Sequence, residues 1–347
     1  MKPLVSTLAA VLLLLCLAVS AHSSNRVLNL YIWSEYIPDE VVAAFTRETG
    51  IRVNLSTYDS NEAMYAKIKL IGSGYDLVVP SSDYVGLMQR EGLLLPVDTT
   101  KITNFAHIAP RFTNQSFDPN NQYSIPYMWG STSIAVHTGM IAAESVQSLA
   151  DLWQPELKGR LLLPNDPREV MAIGLKVLGY SVNETNAEHL QQAYEKLRAL
   201  MPLVRVFDSD SPKQALLSRE VAVGVVWNGE AYIANSENQA IEYVYPPEGF
   251  SLWLDSFCIP RGAENIEAAH LFIDYILRPE ISAEISTAMG YSTPNKAAFA
   301  HLDPETKDNP IVNPDPEDAA RGEFLDSLDD ATLQLYEQHW INLKTGR

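Results

Sequence analysis

Apolar positions along this chain fall in blocks of strand or helix length. Residues 27–33 (VLNLYIW) make a strand-length run; a helix opens at Pro38 and runs through Thr49, and Gly50 stops it in the left-handed C′ position. Residues 52–56 read as a second strand, 61–71 as a helix, 75–80 (YDLVVP) as a buried third strand, and a further helix runs from about Tyr84 to Gly92. Strands alternating with helices at this spacing predict a parallel sheet covered on both faces. Such sheets take ligands beyond the carboxyl ends of their strands. Three loops become candidates: Ser34-Glu35-Tyr36, residues 57–60, and Ser81-Ser82-Asp83.

A turn-rich connection at 114–121 (NQSFDPNN) leads into an extended strand at 125–136, which carries the chain into a second unit. There the alternation resumes, with strands at 160–163, 204–207, 221–227 (VAVGVVW) and 241–245, and helices at 167–178, 187–200 and 213–217. A strand at 251–259 brings the chain back. Helices at 266–277 and 279–289, the turn at 290–295 and a polar tail ending in a long helix complete it. The expected fold is α/β, two lobes of mostly parallel sheet flanked by helices and joined by extended crossing strands. The expected division is 22–131 plus 256–300 for one lobe and 132–255 plus 301–347 for the other. A cleft between them would close on a ligand.

The N-terminus changes the setting. Lys2, the apolar run from Leu4 to Val19 and the small residues of Val19-Ser20-Ala21 predict a secretory signal over residues 1–21, cut before His22. The run is short for a membrane span. Leu15 before Cys16 is a poor match to a lipoprotein signal, so an exported, unanchored periplasmic protein is expected. Cleavage leaves Cys258 alone, with no internal disulfide to make. The formal net charge of −18 becomes one unit more negative, which speaks against nucleic acid and anionic membranes and favours small cations. A monomer is expected.

Candidate chemistry sits at strand ends. In 251–259, Trp253 and Asp255 are two apart and share one face, placing an indole beside a carboxylate, which suits an organic cation. A core tryptophan beside a capping or salt-bridged aspartate reads the same. In Asp166-Pro167-Arg168-Glu169 the spacing describes a capping box, and equally two carboxylates facing a cleft. Trp227-Asn228-Gly229-Glu230 follows the most apolar strand, and Trp227 is either core or part of a binding loop. Enzyme signatures are missing: the seven histidines have no zinc spacing, and there is no G-x-S-x-G, phosphate-cradling or dinucleotide motif. Asp208-Ser209-Asp210 starts like a calcium loop but lacks the third ligand and the turn glycine. No cofactor or metal is expected; a secreted hydrolase using a carboxylate pair is the remote alternative.

Several runs in one order carry a family resemblance. They are Tyr31-Ile32-Trp33-Ser34-Glu35-Tyr36, Thr57-Tyr58-Asp59-Ser60-Asn61-Glu62, Tyr75-Asp76-Leu77-Val78-Val79-Pro80-Ser81 and Tyr123-Ser124-Ile125-Pro126-Tyr127-Met128-Trp129-Gly130. Trp227-Asn228-Gly229, Trp253-Leu254-Asp255-Ser256 and Gly290-Tyr291-Ser292-Thr293-Pro294-Asn295 continue the series. From end to end the chain resembles the periplasmic spermidine/putrescine-binding proteins of ATP-driven polyamine importers. The resemblance implies a type II two-lobe periplasmic-binding-protein fold, no catalysis, and an inner-membrane permease as partner. Some members of this family report polyamine to an inner-membrane receptor that controls cyclic-di-GMP and biofilm formation, so a sensory receptor is the alternative partner.

Carried across, the family's ligand contacts fall on Trp33, Ser34, Tyr36, Ser81 and Asp83, then on Asp166, Glu169, Trp227 and Glu230, and finally on Trp253, Asp255, Tyr291 and Leu325. The chain mixes two branches. Asp166 with Glu169, and Trp253, are similar to the spermidine-preferring branch. Ser34, Asp83, the acid at Glu230 and Leu325 are similar to the putrescine branch; the spermidine branch has an aromatic where Asp83 stands and an amide where Leu325 stands. Five acids (Asp83, Asp166, Glu169, Glu230, Asp255) exceed what a diamine needs, and burying unpaired carboxylates is costly. The expected ligand therefore has at least three charges, spermidine or the shorter norspermidine, with putrescine the diamine alternative.

Overall fold

The computed structural model describes residues 26–346. The expected signal segment 1–21, with Cys16, lies outside the described residues. The first strand, β1 (Val27–Trp33), is followed by α1 (Asp39–Thr49), which Gly50 ends at φ 69°, and by β2 (Arg52–Tyr58) and α2 (Asn61–Ile71). Next come β3 (Leu77–Val78), α3 (Ser82–Arg90), β4 (Leu94–Leu95) and the long β5 (Ser124–His137). The second series is β6 (Leu161–Leu163), α4 (Pro167–Val177), α5 (Ala187–Arg198), β7 (Val204–Phe207), α6 (Lys213–Leu217), β8 (Val223–Trp227), α7 (Asn228–Glu237) and β9 (Ile241–Val244). The return strand β10 (Phe250–Pro260) precedes α8 (Ile266–Ile276), α9 (Pro279–Met289), β11 (Gly322–Phe324) and the closing α10 (Asp330–Thr345).

The sheet runs β2-β1-β3-β10-β5-β8-β6-β7. Strand β1 pairs parallel with β2 and β3, and β6 pairs parallel with β7 and β8. Between these two parallel groups lie β5 and β10, antiparallel to each other and to their outer neighbours. Every residue of both central strands is buried, which explains their near-continuous apolar sequence. Ile125, Tyr127 and Trp129 of β5 join a core with Leu28, Phe45 and Phe272, whereas Ile134 and Val136 join another with Leu161, Val170 and Val225. One strand thus feeds two cores, and the polar run Ser131-Thr132-Ser133 marks the change.

The short strands β4 and β11 were not expected from the sequence, and three further elements differ from it. The third strand pairs only at Leu77–Val78, because its antiparallel neighbour β10 meets it at one residue, Cys258 opposite Val78. Helix α3 starts at Ser82, so Ser82 and Asp83 belong to its first turn rather than to a loop. Helix α7 was not expected: Trp227 is its N-cap residue, and Asn228, Gly229 and Glu230 form its first turn. Among the described residues no helix is long and apolar enough to cross a membrane.

Candidate ligand-binding site

All thirteen residues singled out from the sequence border one cleft of about 660 Å³, its open mouth included. Tyr58, Asn61, Arg168, Ser209 and Asp210 also line it. The carboxylates reach it by a repeated device. Asp83, Glu169 and Glu230 each stand in the first turn of a helix that follows a strand, where the N-terminal dipole favours negative charge. Asp166 is the N-cap of α4, and its Oδ1 accepts from the backbone N–H of Glu169 at 3.0 Å.

That cap is only half of a capping box. Glu169 does not reach back to the Asp166 backbone; it turns inward, where its Oε1 accepts from Thr132 of β5 at 2.7 Å. Its Oε2 is buried without a hydrogen-bond partner. Burial, then the neighbouring Asp166, push the Glu169 carboxyl up to about 8. Burial also raises Asp166.

Asp255 holds the middle of the cleft. Its Oδ2 accepts from the Tyr36 hydroxyl at 2.7 Å and its Oδ1 from Ser81 at 2.6 Å, yet burial lifts the carboxyl to about 7. Ser81 is itself fixed by its backbone N–H donating to Asn61 at 3.2 Å. Around Asp255 the rings interlock: Tyr36 lies 5.3 Å from Tyr291 and Trp253 lies 5.2 Å from Tyr291, both edge-on. The Trp253 indole N–H, buried, has no acceptor among the described residues.

The tyrosine at 291 stands this close because Gly229 has no side chain; a Cβ there would meet the ring at 2.4 Å. Asn228 ties the same corner together. It accepts from the Ser131 backbone N–H at 3.1 Å and donates to the carbonyls of Gly290 and Ile311 at 3.1 and 3.0 Å.

Across the cleft, Trp33 and Trp227 approach edge to face at 6.4 Å, and Trp33 anchors its indole N–H on the Val79 carbonyl at 2.9 Å. Trp227 is half-buried and packs on the first core while lining the cleft, so the core and platform readings both hold. Ser34 is held by its backbone N–H donating to the Tyr58 carbonyl at 2.9 Å. Leu325 pairs its N–H with the Leu252 carbonyl at 2.8 Å and packs against Ala172 and Val182.

Two of the five acids are not free, which corrects the sequence expectation. Asp83 faces Arg168 at 3.6 Å, and Arg168 is buried to 2 % exposure. Glu230 pairs with Lys213 at 3.1 Å, and Lys213 also bonds Glu35. Neither cation was picked out from the sequence. Arg168 lay in view between Asp166 and Glu169, where a charged residue in a first helical turn reads as solvated. Glu62, in the first turn of α2, was also passed over; burial and then Asp166 raise its carboxyl to about 8. Asp166, Glu169 and Asp255 make no ion pair with a lysine, arginine or histidine among the described residues.

A cleft lined by carboxylates and indoles, in a fold with two parallel groups of strands joined by β5 and β10, is that of a solute-binding protein. The chain belongs to the bacterial extracellular solute-binding proteins, whose family model matches residues 40–314. It is a binding protein and not an enzyme, as its relatives are. It is 44 % identical over 341 residues to the spermidine/putrescine-binding periplasmic protein of Escherichia coli, covering 98 % of both chains. It is 31 % identical to a putrescine/agmatine-binding protein of Pseudomonas aeruginosa, covering 95 % of each. Among solved structures it superposes on a putative spermidine/putrescine ABC transporter from Listeria monocytogenes with a TM-score of 0.89 at 38 % identity, covering 93 % of this chain and all of that one.

Proposed function

We propose that the cleft binds a linear polyamine carrying at least three ammonium groups, spermidine or norspermidine, and that the protein holds it in the periplasm for delivery to an ATP-driven importer. The observation that carries this reading is the trio Asp166, Glu169 and Asp255, cleft carboxylates without an ion-pair partner among the described residues and set among indole and phenol rings. Glu169 Oε2, and Asp83 Oδ1 from the same lining, are buried without a donor among the described residues, which is costly, and an ammonium supplies both donor and countercharge. Trp33, Tyr36, Trp227, Trp253 and Tyr291 would cover the methylenes and add cation–π attraction of about 0.5–2 kcal/mol each. Ser34, Ser81 and Leu325 complete the contacts. Asp83 and Glu230 face internal cations, which leaves three of the five expected acids without an ion pair. The relative named for both spermidine and putrescine is 44 % identical, against 31 % for the one named for putrescine and agmatine, which favours a cleft that accepts spermidine.

Calorimetric titration of the refolded, ligand-stripped protein with putrescine, norspermidine and spermidine tests it. Triamines are expected to bind at least about tenfold tighter than putrescine, one further charge pair being worth ~1.4 kcal/mol or more. Putrescine binding as tightly would remove the three-carboxylate count. No binding of any polyamine would overturn the reading.

A further inference from the structure

One carboxylate lining the proposed polyamine site, Glu230, already has a cation from the protein itself. Lys213 opens α6, and its side chain is only 7 % exposed. Its ammonium donates to both oxygens of Glu230, at 3.1 and 3.2 Å, to the Ser211 hydroxyl at 3.0 Å, and to Glu35. Glu230 is buried on α7, just after β8, whereas Glu35 sits half-exposed in the loop after β1, so the ammonium ties together two segments that contribute to the cleft lining. Glu230 lines the same cleft as Asp255, and Glu35 lies in the chain between Ser34 and Tyr36, which line it too.

A lysine ammonium held by two carboxylates has the same chemistry as a primary ammonium of a polyamine held by such a pair. A second ammonium arriving there would find no unpaired carboxylate and would meet a like charge. We infer that Lys213 is a specificity-determining residue that occupies, as a built-in cation, the place a fourth ammonium would take, so the cleft selects triamines against longer tetra-amines. This rests on the polyamine reading above. Removing the charge strands Glu230, a buried carboxylate, and a longer ligand then gains the partner that a triamine cannot reach.

The test is calorimetric titration with spermidine and with the tetra-amine spermine, comparing wild type, Lys213→Met, Lys213→Gln and Lys213→Arg. The readout is the ratio of the two dissociation constants. The neutral variants are expected to shift it towards spermine by about tenfold or more, the worth of one recovered buried charge pair. Lys213→Arg, keeping the charge, is expected to hold the wild-type ratio. Adding Glu230→Gln to Lys213→Met removes the stranded carboxylate and should return the ratio towards wild type. If Lys213→Met does not fold, Lys213→Gln, which retains hydrogen bonds to Glu230, supplies the measurement. A ratio unchanged in folded neutral variants overturns the role of Lys213 while leaving the polyamine site intact. Failure of the wild type to bind spermidine overturns the site itself.

Discussion

Replacing Asp255 by Asn removes one negative charge from the middle of the cleft while keeping its volume and one acceptor oxygen. In the native chain both carboxylate oxygens accept, from Tyr36 at 2.7 Å and Ser81 at 2.6 Å, and the Ser81 hydroxyl can reverse to accept from an amide. Burial lifts the carboxyl from an ordinary 3.8 to about 7. Keeping it ionised above that pH therefore costs the ligand-free protein about 4 kcal/mol, a cost the amide does not carry. Binding runs the other way. A buried ammonium that loses its countercharge forfeits about 2–5 kcal/mol, or roughly 30- to 5,000-fold in Kd. Spermidine titration and a ligand-free thermal melt at about pH 8 read both effects. The expected result for Asp255→Asn is a loss of at least about 30-fold in affinity with a ligand-free Tm at or above wild type. Wild-type affinity would refute the placement of an ammonium at Asp255. A Tm several degrees lower would make the residue a structural anchor.

The same raised carboxyls set a pH dependence. Glu62 and Glu169 sit at about 8, Asp255 at about 7 and Asp83 at about 6, so the folded, ligand-free chain holds protons that the unfolded chain has already released. Stability from these groups is full below the ordinary carboxylate range and is lost as pH rises through about 6 to 8, while affinity for a polycation rises over the same window. Melts with and without spermidine across that range should show a falling ligand-free Tm and a growing ligand-induced shift; a constant shift would refute the coupling. For Trp227→Ala, spermidine affinity should fall by about 1–2 kcal/mol, since one desolvated indole face is lost. Its half-buried site should leave the circular dichroism spectrum unchanged, and collapse of the fold would assign Trp227 to the core alone.

Local pattern carried much of the fold because most elements obey it. The helices at Asn61–Ile71 and Pro279–Met289 and the strand Val204–Phe207 have the bounds expected from periodicity and from Gly and Pro punctuation. The shared face of Trp253 and Asp255 follows from the period of a strand alone, and both line the cleft. What stayed out of reach was pairing between distant segments. Arg168 neutralises Asp83, and Lys213 bridges Glu35 and Glu230, and nothing within either neighbourhood names its partner. Counting acids by sequence therefore overstated the free negative charge. Helix α7 was missed because a tryptophan, an asparagine and a glycine are poor helix formers. Packing of Asn228 and Tyr291 overrides that preference.

The central pair of strands has a mechanical meaning. Strand β5 runs through the junction of the two cores with β10 paired alongside it, so a rotation of one half against the other would bend this pair. Their pairing shifts register between Asp255 and Ser256, and such an irregularity is where a strand yields most easily. The carboxylate that would read the ligand's charge thus sits on the flexure itself. A cation drawn to Asp255 would load the joint directly, so recognition and the angle of the jaws become a single variable instead of two linked by a relay.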